Sequence, residues 1–206
     1  MNLQFGTAEL MAVAAALGWA SGLRLYAVVF LTGAAGYLGW VDLPHGLHVL
    51  QHPALLAASG FMFFVEFFAD KIPGLDSLWD VVHTVIRVPA GAALAASVFG
   101  ADSATMATLA ALLGGTLAAT SHVAKSTTRA AVNTSPEPFS NLALSLAGDA
   151  IVPGALWLAW EHPMWFWPML AVALVVMIVL IWVFARFLRA LVRRVSAWFA
   201  GEPMRV

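Results

Sequence analysis

The chain reads as a series of long apolar runs, broken by polar segments at Asp42–Pro53, Asp70–Ser77, Gly100–Ser103, Asn133–Phe139 and Glu161–Pro163. These runs predict helices near 8–40, 53–70, 76–100, 104–130, 139–160 and 164–196. None alternates with period two, and backbone groups in lipid must bond within their own segment, so helices are expected rather than barrel strands. Between Glu161 and Arg186 lie 24 residues without Asp, Glu, Lys or Arg, more than the roughly 20 that one span needs. The expected fold class is all-α: a polytopic membrane helix bundle of about six transmembrane helices, forming a single integral membrane domain over residues 1–206.

The first run is too long for one simple span. Its 33 residues would measure ~50 Å as a helix, against a ~30 Å hydrocarbon core. Ser21-Gly22 offers a break, leaving Ala8–Ala20 as an interfacial or half-membrane helix and Leu23–Trp40 as a proper span. Gly33, Gly36 and Gly39 form a small-residue stripe that lets another helix approach closely. The middle of the chain carries a weak internal repeat, about 53–100 and 104–160: a helix, a polar corner, then a helix with Val88-Pro89 or Val152-Pro153. Repeats of broken helices around a shared centre are a common transporter plan. The C-terminal span at 164–185 continues into a basic amphipathic extension, 186–199, whose Arg186, Arg189, Arg193 and Arg194 suit an anionic lipid surface.

Composition agrees with the pattern. Of 206 residues, 62% are hydrophobic and 10% charged, with a mean hydropathy of +0.87, whereas soluble domains are roughly 45–50% apolar and about 25% charged. A soluble metabolic enzyme is excluded. Ten Lys and Arg against eleven Asp and Glu leave no basic surplus to hold the phosphates of a nucleic acid. There is no cysteine, so disulfides and thiolate-bound zinc are absent.

The distribution of Lys and Arg sets an expected orientation. If six helices alternate from an inside start, all ten cations fall inside or on inner helix halves, Arg205 of the tail included. Asp42, Asp102, Glu161 and four histidines fall outside. Both termini are therefore expected on the cytoplasmic side. Met1 to Glu9 has no Lys or Arg, so a cleavable signal peptide is not expected. Trp40, Trp160, Trp165 and Trp167 gather at the outer ends, as an interfacial belt would.

Charges at membrane depth need a reason, since an ionised group at a helix centre costs roughly 2.5–3.5 kcal/mol. Glu66, Asp70, Lys71, Asp76, Asp80, His83 and Arg87 place seven ionisable groups within 22 residues. Glu66 and Asp70 share one helix face, and Asp76, Asp80, His83 and Arg87 share another. Asp70, Lys71 and Asp76 are expected at the interface. His83 and Arg87 lie ~10 and ~16 Å into their helix, and Glu66, Asp80 or Asp149 would neutralise Arg87. Asp149 stands in the middle of an apolar span, where it must be paired, protonated or facing water. Arg24, Arg87 and Lys125 are its candidate partners, and His122, Lys125 and Arg129 bring a cationic stretch from the neighbouring helix. The expected site is thus a cytoplasm-facing cavity lined by Arg24, Glu66, Asp70, Asp80, His83, Arg87, His122, Lys125, Arg129 and Asp149. Glu66, Asp70, Asp80 and His83 also make an oxygen-rich candidate set for magnesium, calcium or manganese. No cofactor is implied, and a divalent cation is expected only as cargo.

Ser21-Gly22-Leu23-Arg24, Phe67-Phe68-Ala69-Asp70-Lys71-Ile72-Pro73, Asp76-Ser77, Trp79-Asp80, His83-Thr84 and Ile86-Arg87 resemble a family of small bacterial multi-pass membrane proteins described only as a domain of unknown function. The resemblance implies the bacterial cytoplasmic membrane. Glu66-x-x-x-Asp70-Lys71 is also distantly similar to the Glu-x-Gly-Asp-Lys motif of a family of divalent-cation transporters. Lys71-Ile72-Pro73-Gly74 resembles the Arg-x-x-Pro-Gly turn of proteins that move lipid-linked phosphates. The leading expectation is a transporter or channel for a small ion or solute, with Asp149 as the proton- or ion-coupling group. Translocation of a lipid or lipid-linked phosphate is the alternative, and a non-catalytic scaffold is the third. An enzyme is not expected, because Asp80 and His83 have no evident nucleophile beside them. The expected partners are the bilayer and the small ion or solute, and the glycine stripe is compatible with a homo-oligomer.

Overall fold

The computed structural model describes residues 6–101, 103–134 and 139–199, the side chains of 197–199 excepted. The expectations placed on the first five residues, on Asp102 and on Arg205 lie outside the described residues. Six α-helices follow one another: α1 (Thr7–Tyr37), α2 (Pro53–Ala69), α3 (Leu75–Ser97), α4 (Ala104–Val132), α5 (Phe139–Glu161) and α6 (Pro163–Phe199). A short 3-10 helix, His45–Gln51, joins α1 to α2. No strand occurs among the described residues. The all-α bundle is the one the apolar runs require, and its helix ends fall within three residues of those expected. Pro89 and Pro153 lie inside α3 and α5 without ending either helix.

The centre of the bundle is α1. It breaks at Arg24, whose φ of −148° and ψ of 85° are extended rather than helical, two residues past the Ser21-Gly22 pair. The contacts of its two halves show what the break does. Along the first half, Gly18 meets Gly114, Gly22 meets Ala118 and Ser121, and Leu23 meets Lys125, so this half runs parallel to α4. Along the second half, Arg24 lies by Asp70, Phe30 by Gly60 and Phe63, and Gly33 by Leu56 and Leu50, so this half runs antiparallel to α2.

The two antiparallel helices α3 and α4 give a ruler for depth. Asp76 pairs with Asn133 at one end, Thr84 with His122 in the middle, and Ala95 with Gly114 towards the other. Gly46 of the 3-10 helix packs on Ser97, so Gly33, which touches Leu50 of that same short helix, lies towards the Ser97 end. Arg24, joined through Asp70 to Lys125 and Asp80, lies towards the other. Both halves of α1 therefore point away from Arg24 in one direction. The helix enters the bundle, turns at Arg24 and returns.

This fold-back corrects two expectations. The segment Ala8–Ala20 is not interfacial: Ala12 to Gly22 are all buried. Runs of Ala and Gly make that burial feasible, because a side chain on Gly18, Gly22, Gly91 or Gly114 would strike the facing helix, and backbones come close only where small residues allow it. Second, Thr7 starts at the Ser97 end, whereas α6 finishes beyond the Arg24 end, so the two ends of the described chain do not share a side. The stripe Gly33, Gly36 and Gly39 is also corrected in part. Gly33 packs on Leu50 and Gly36 on Leu43 of the following segment, while Gly39, with φ of 71°, makes the turn that ends α1.

By length and composition α1, α4, α5 and α6 could each cross a membrane, and the 3-10 helix with α2, bent by 70°, makes a fifth, but the length of α1 is divided between two arms by its turn at Arg24. The sixth expected span, α3, has length enough at 23 residues but carries Asp76, Asp80 and Arg87. Those charges all point inward and are buried, while Leu78, Val81, Val82, Val85 and Ile86 face out. This is the reverse of a surface helix in water, and it is the arrangement that lipid demands. The protein is a helical membrane protein. Its outermost helix, α6, has only 6% of its apolar window buried, against 78% for α1.

Candidate functional site

The turn of α1 carries Arg24 into a network of ion pairs drawn from five helices. Its Nη2 lies 3.2 Å from Asp70 Oδ2 and 3.0 Å from Asp149 Oδ1, and it donates to the carbonyl and hydroxyl oxygens of Ser145 on α5. Lys71, just past α2, donates to Asp149 Oδ2 at 2.9 Å and sits over the Phe67 ring. Asp70 also accepts from Lys125 and Arg129 of α4 at 3.0 and 3.2 Å. Lys125 further donates to the Leu23 carbonyl, a group at the end of the first half of α1 that the break leaves without its helical partner.

On the other side, Arg87 donates through Nη2 to Glu66 Oε1 and through Nη1 to Asp80 Oδ1, each at 2.7 Å. Its Nη1 lies 3.3 Å from His122 Nδ1. A guanidinium can only donate, so this nitrogen of His122 accepts and Nε2 carries the proton, which it gives to Thr84 Oγ1 at 2.8 Å. Lys125 at 3.1 Å from Asp80 joins the two sides. Asp76 completes the network through Arg129 at 3.4 Å, and its Oδ1 accepts the backbone N–H groups of Gly74 and Ser77 at the start of α3. The Ile72–Leu75 turn that brings α2 and α3 together depends on Gly74, whose φ of 87° few other residues adopt.

Five acids (Glu66, Asp70, Asp76, Asp80 and Asp149) meet five cations (Arg24, Lys71, Arg87, Lys125 and Arg129). The cations are all the Lys and Arg of the chain outside α6 and the tail. The cluster is neutral while its imidazoles are, the condition under which so many charges are tolerated away from water. Some hydrogen-bonding capacity is unused: Arg24 Nη1, Arg87 Nε, Glu66 Oε2 and Asp80 Oδ2 are buried and have no hydrogen-bond partner among the described residues.

The expected site residues thus converge, with three changes. Asp70 and Asp76 are fully buried rather than interfacial, because the fold-back of α1 and the end of α4 cover them. His83 stands apart from the network, its Nδ1 donating to the Trp79 carbonyl at 2.8 Å and its Nε2 3.2 Å from the Tyr26 hydroxyl. The metal set is also corrected. No group of three or more His, Asp or Glu able to hold a metal ion occurs among the described residues, since Glu66, Asp70 and Asp80 are turned to Arg and Lys. Lys71 was missed as a site residue although it sits beside Asp70. Counting acids against cations once the tail is set aside is the signal that finds it.

A cavity of about 420 Å³ adjoins the network, between α1, α4, α5 and α6. Arg24, Asp70, Lys125 and Arg129 line one part of it, and the other lining residues are mostly apolar, such as Trp19, Ile151, Met169 and Val176. Glu66, Asp80, His83, Arg87, His122 and Asp149 do not line it. The expected polar cavity is therefore an apolar one with a charged end.

Fold and site together define a helical membrane protein built around a buried, charge-balanced ion-pair network. The chain belongs to the family described as a domain of unknown function (DUF4126), whose family model matches residues 11–186. No curated protein and no solved structure matches it.

Proposed function

We propose that this protein is a small transporter of the bacterial cytoplasmic membrane for an ion or small solute, with Asp149 as the proton-coupling group. The observation that carries the reading is the balanced network at the apex of a broken helix. Broken helices at the centre of a bundle are where transporters hold coupling ions. Protonating Asp149 leaves Arg24 and Lys71 without one of their counter-charges. Arg24 is then left with Asp70 as its one carboxylate, and weakening a buried pair is costly, so Arg24 shifts towards Asp70 and moves with the tip of α1. One proton is in this way linked to the position of a two-armed helix.

The end of the bundle that holds Arg24, Lys71, Lys125, Arg129 and the arginines of α6 is the cytoplasmic one by the positive-inside rule. Enzyme chemistry is not part of the proposal, because His83 is hydrogen-bonded to Trp79 and Tyr26 rather than paired with an acid. Purified protein in liposomes loaded with a pH-sensitive dye tests the coupling. Under an imposed membrane potential, proton entry is expected well above that of empty liposomes and is lost in Asp149→Asn. Entry equal to that of empty liposomes would overturn the reading. A second reading, translocation of a lipid or lipid-linked phosphate, is supported by the apolar walls of the cavity.

A further inference from the structure

The cavity beside Arg24 has a chemistry of its own. At about 420 Å³ it lies in the range of roughly 300–1,000 Å³ typical of small-molecule sites. Its α6 wall runs from Met169 to Leu180, some 17 Å along the helix axis, so the space is elongated. Ile151 of α5 and Val172 and Val176 of α6 line it and are also exposed. It therefore opens sideways, to the surface that faces lipid.

The charged end is one-sided. Arg24, Lys125 and Arg129 line the cavity together with a single acid, Asp70, and all three cations are paired to that one carboxylate. The acids that balance them elsewhere, Asp76, Asp80 and Asp149, do not line it. Arg24 is 2% exposed, yet its Nη1 has no hydrogen-bond partner among the described residues. A buried guanidinium N–H without an acceptor is rare and calls for one. Gly148 packs its backbone against the same guanidinium: a Cβ there would come into contact with Arg24 Nε at 3.4 Å.

We propose that the cavity binds an anionic amphiphile, a single hydrocarbon chain with a phosphate or carboxylate head, entering from the bilayer between α5 and α6. The head accepts from Arg24 Nη1 beside Lys125 and Arg129, and the chain lies along the α6 wall. The inference rests on the second of the two readings above. It concerns binding alone, so protein that binds without moving protons would overturn the coupling and leave this intact.

The test uses the full chain in a non-ionic detergent, with lysophosphatidic acid, a long-chain fatty acid, lysophosphatidylcholine and inorganic phosphate as probes, and native mass spectrometry with calorimetry as readouts. One lysophosphatidic acid or fatty acid per chain is expected, bound at least about tenfold more tightly than lysophosphatidylcholine, with no saturable binding of inorganic phosphate. Which of the two acids binds better identifies the head group. Ala173→Trp fills the cavity from α6 without touching an ion pair and is expected to abolish binding while thermal stability is kept. Arg24→Lys is expected to weaken binding about tenfold. Saturable binding of inorganic phosphate alone, equal binding of both lysophospholipids, or binding unchanged in a folded Ala173→Trp protein would overturn the proposal.

Discussion

The network has two ends that differ in kind. Around Arg87 everything is closed: Arg87 and Glu66 are 0% exposed and Asp80 is 2%, with the acid pairs made at 2.7 Å. Around Asp149 the same types of group are looser. Asp149 and Lys71 are 17% and 18% exposed, and Arg24 lines the cavity. Identical chemistry serves two ends in different ways, because burial is complete at one and partial at the other. The Arg87 end holds α2, α3 and α4 together. The Arg24 end ties α1 to α5 and to the residues that follow α2.

The sharpest way to break this contrast is to remove one cation from each end. Arg87→Met leaves Glu66 without its cation and Asp80 with Lys125 at 3.1 Å and the longer Arg129 contact at 3.9 Å. Stripping one partner from a buried pair costs about 3–5 kcal/mol, so this variant is expected to unfold in mild detergent or to be recovered poorly. Arg24→Met is expected to cost less, about 1–3 kcal/mol, the range for a lost buried hydrogen bond. Asp70 keeps Lys125 and Arg129, and Asp149 keeps Lys71. Thermal unfolding of both variants under one set of conditions measures the difference. Equal losses would mean that the two ends are one rigid unit.

Much of this was legible in the sequence. The faces Glu66–Asp70 and Asp76–Asp80–Arg87 converge as helical spacing requires, Asp149 pairs with Arg24, one of its expected partners, and Arg87 pairs with Glu66 and Asp80. Charges are few in an apolar chain, so each has few partners to find. The fold-back of α1 was not legible. Hydrophobic periodicity has no direction, and a helix that returns at Arg24 carries the same pattern as one that continues. Its first half, rich in Ala and Gly, looks only mildly apolar, and burial by close helix contact leaves no period to read. The apolar character of the cavity was hidden for a related reason: the residues between the charges on α4 and α5, such as Ala124, Ala147 and Ile151, are the ones that face it.

The smallest expected effect is the finest probe of the contrast. Lys71 pairs with Asp149 at 2.9 Å, but both side chains are partly exposed and Arg24 also holds Asp149. Ion pairs at partly exposed positions contribute about 0–1 kcal/mol and weaken as salt rises. Lys71→Gln should accordingly melt within a few degrees of the unaltered protein, with the gap narrowing between low and high salt. The amide can still donate to Asp149, so what the substitution removes is the charge. Loss of folding in Lys71→Gln would show that Asp149 is held as tightly as Asp80. In that case the yielding end of the network would have to be sought at Arg24 and the cavity alone.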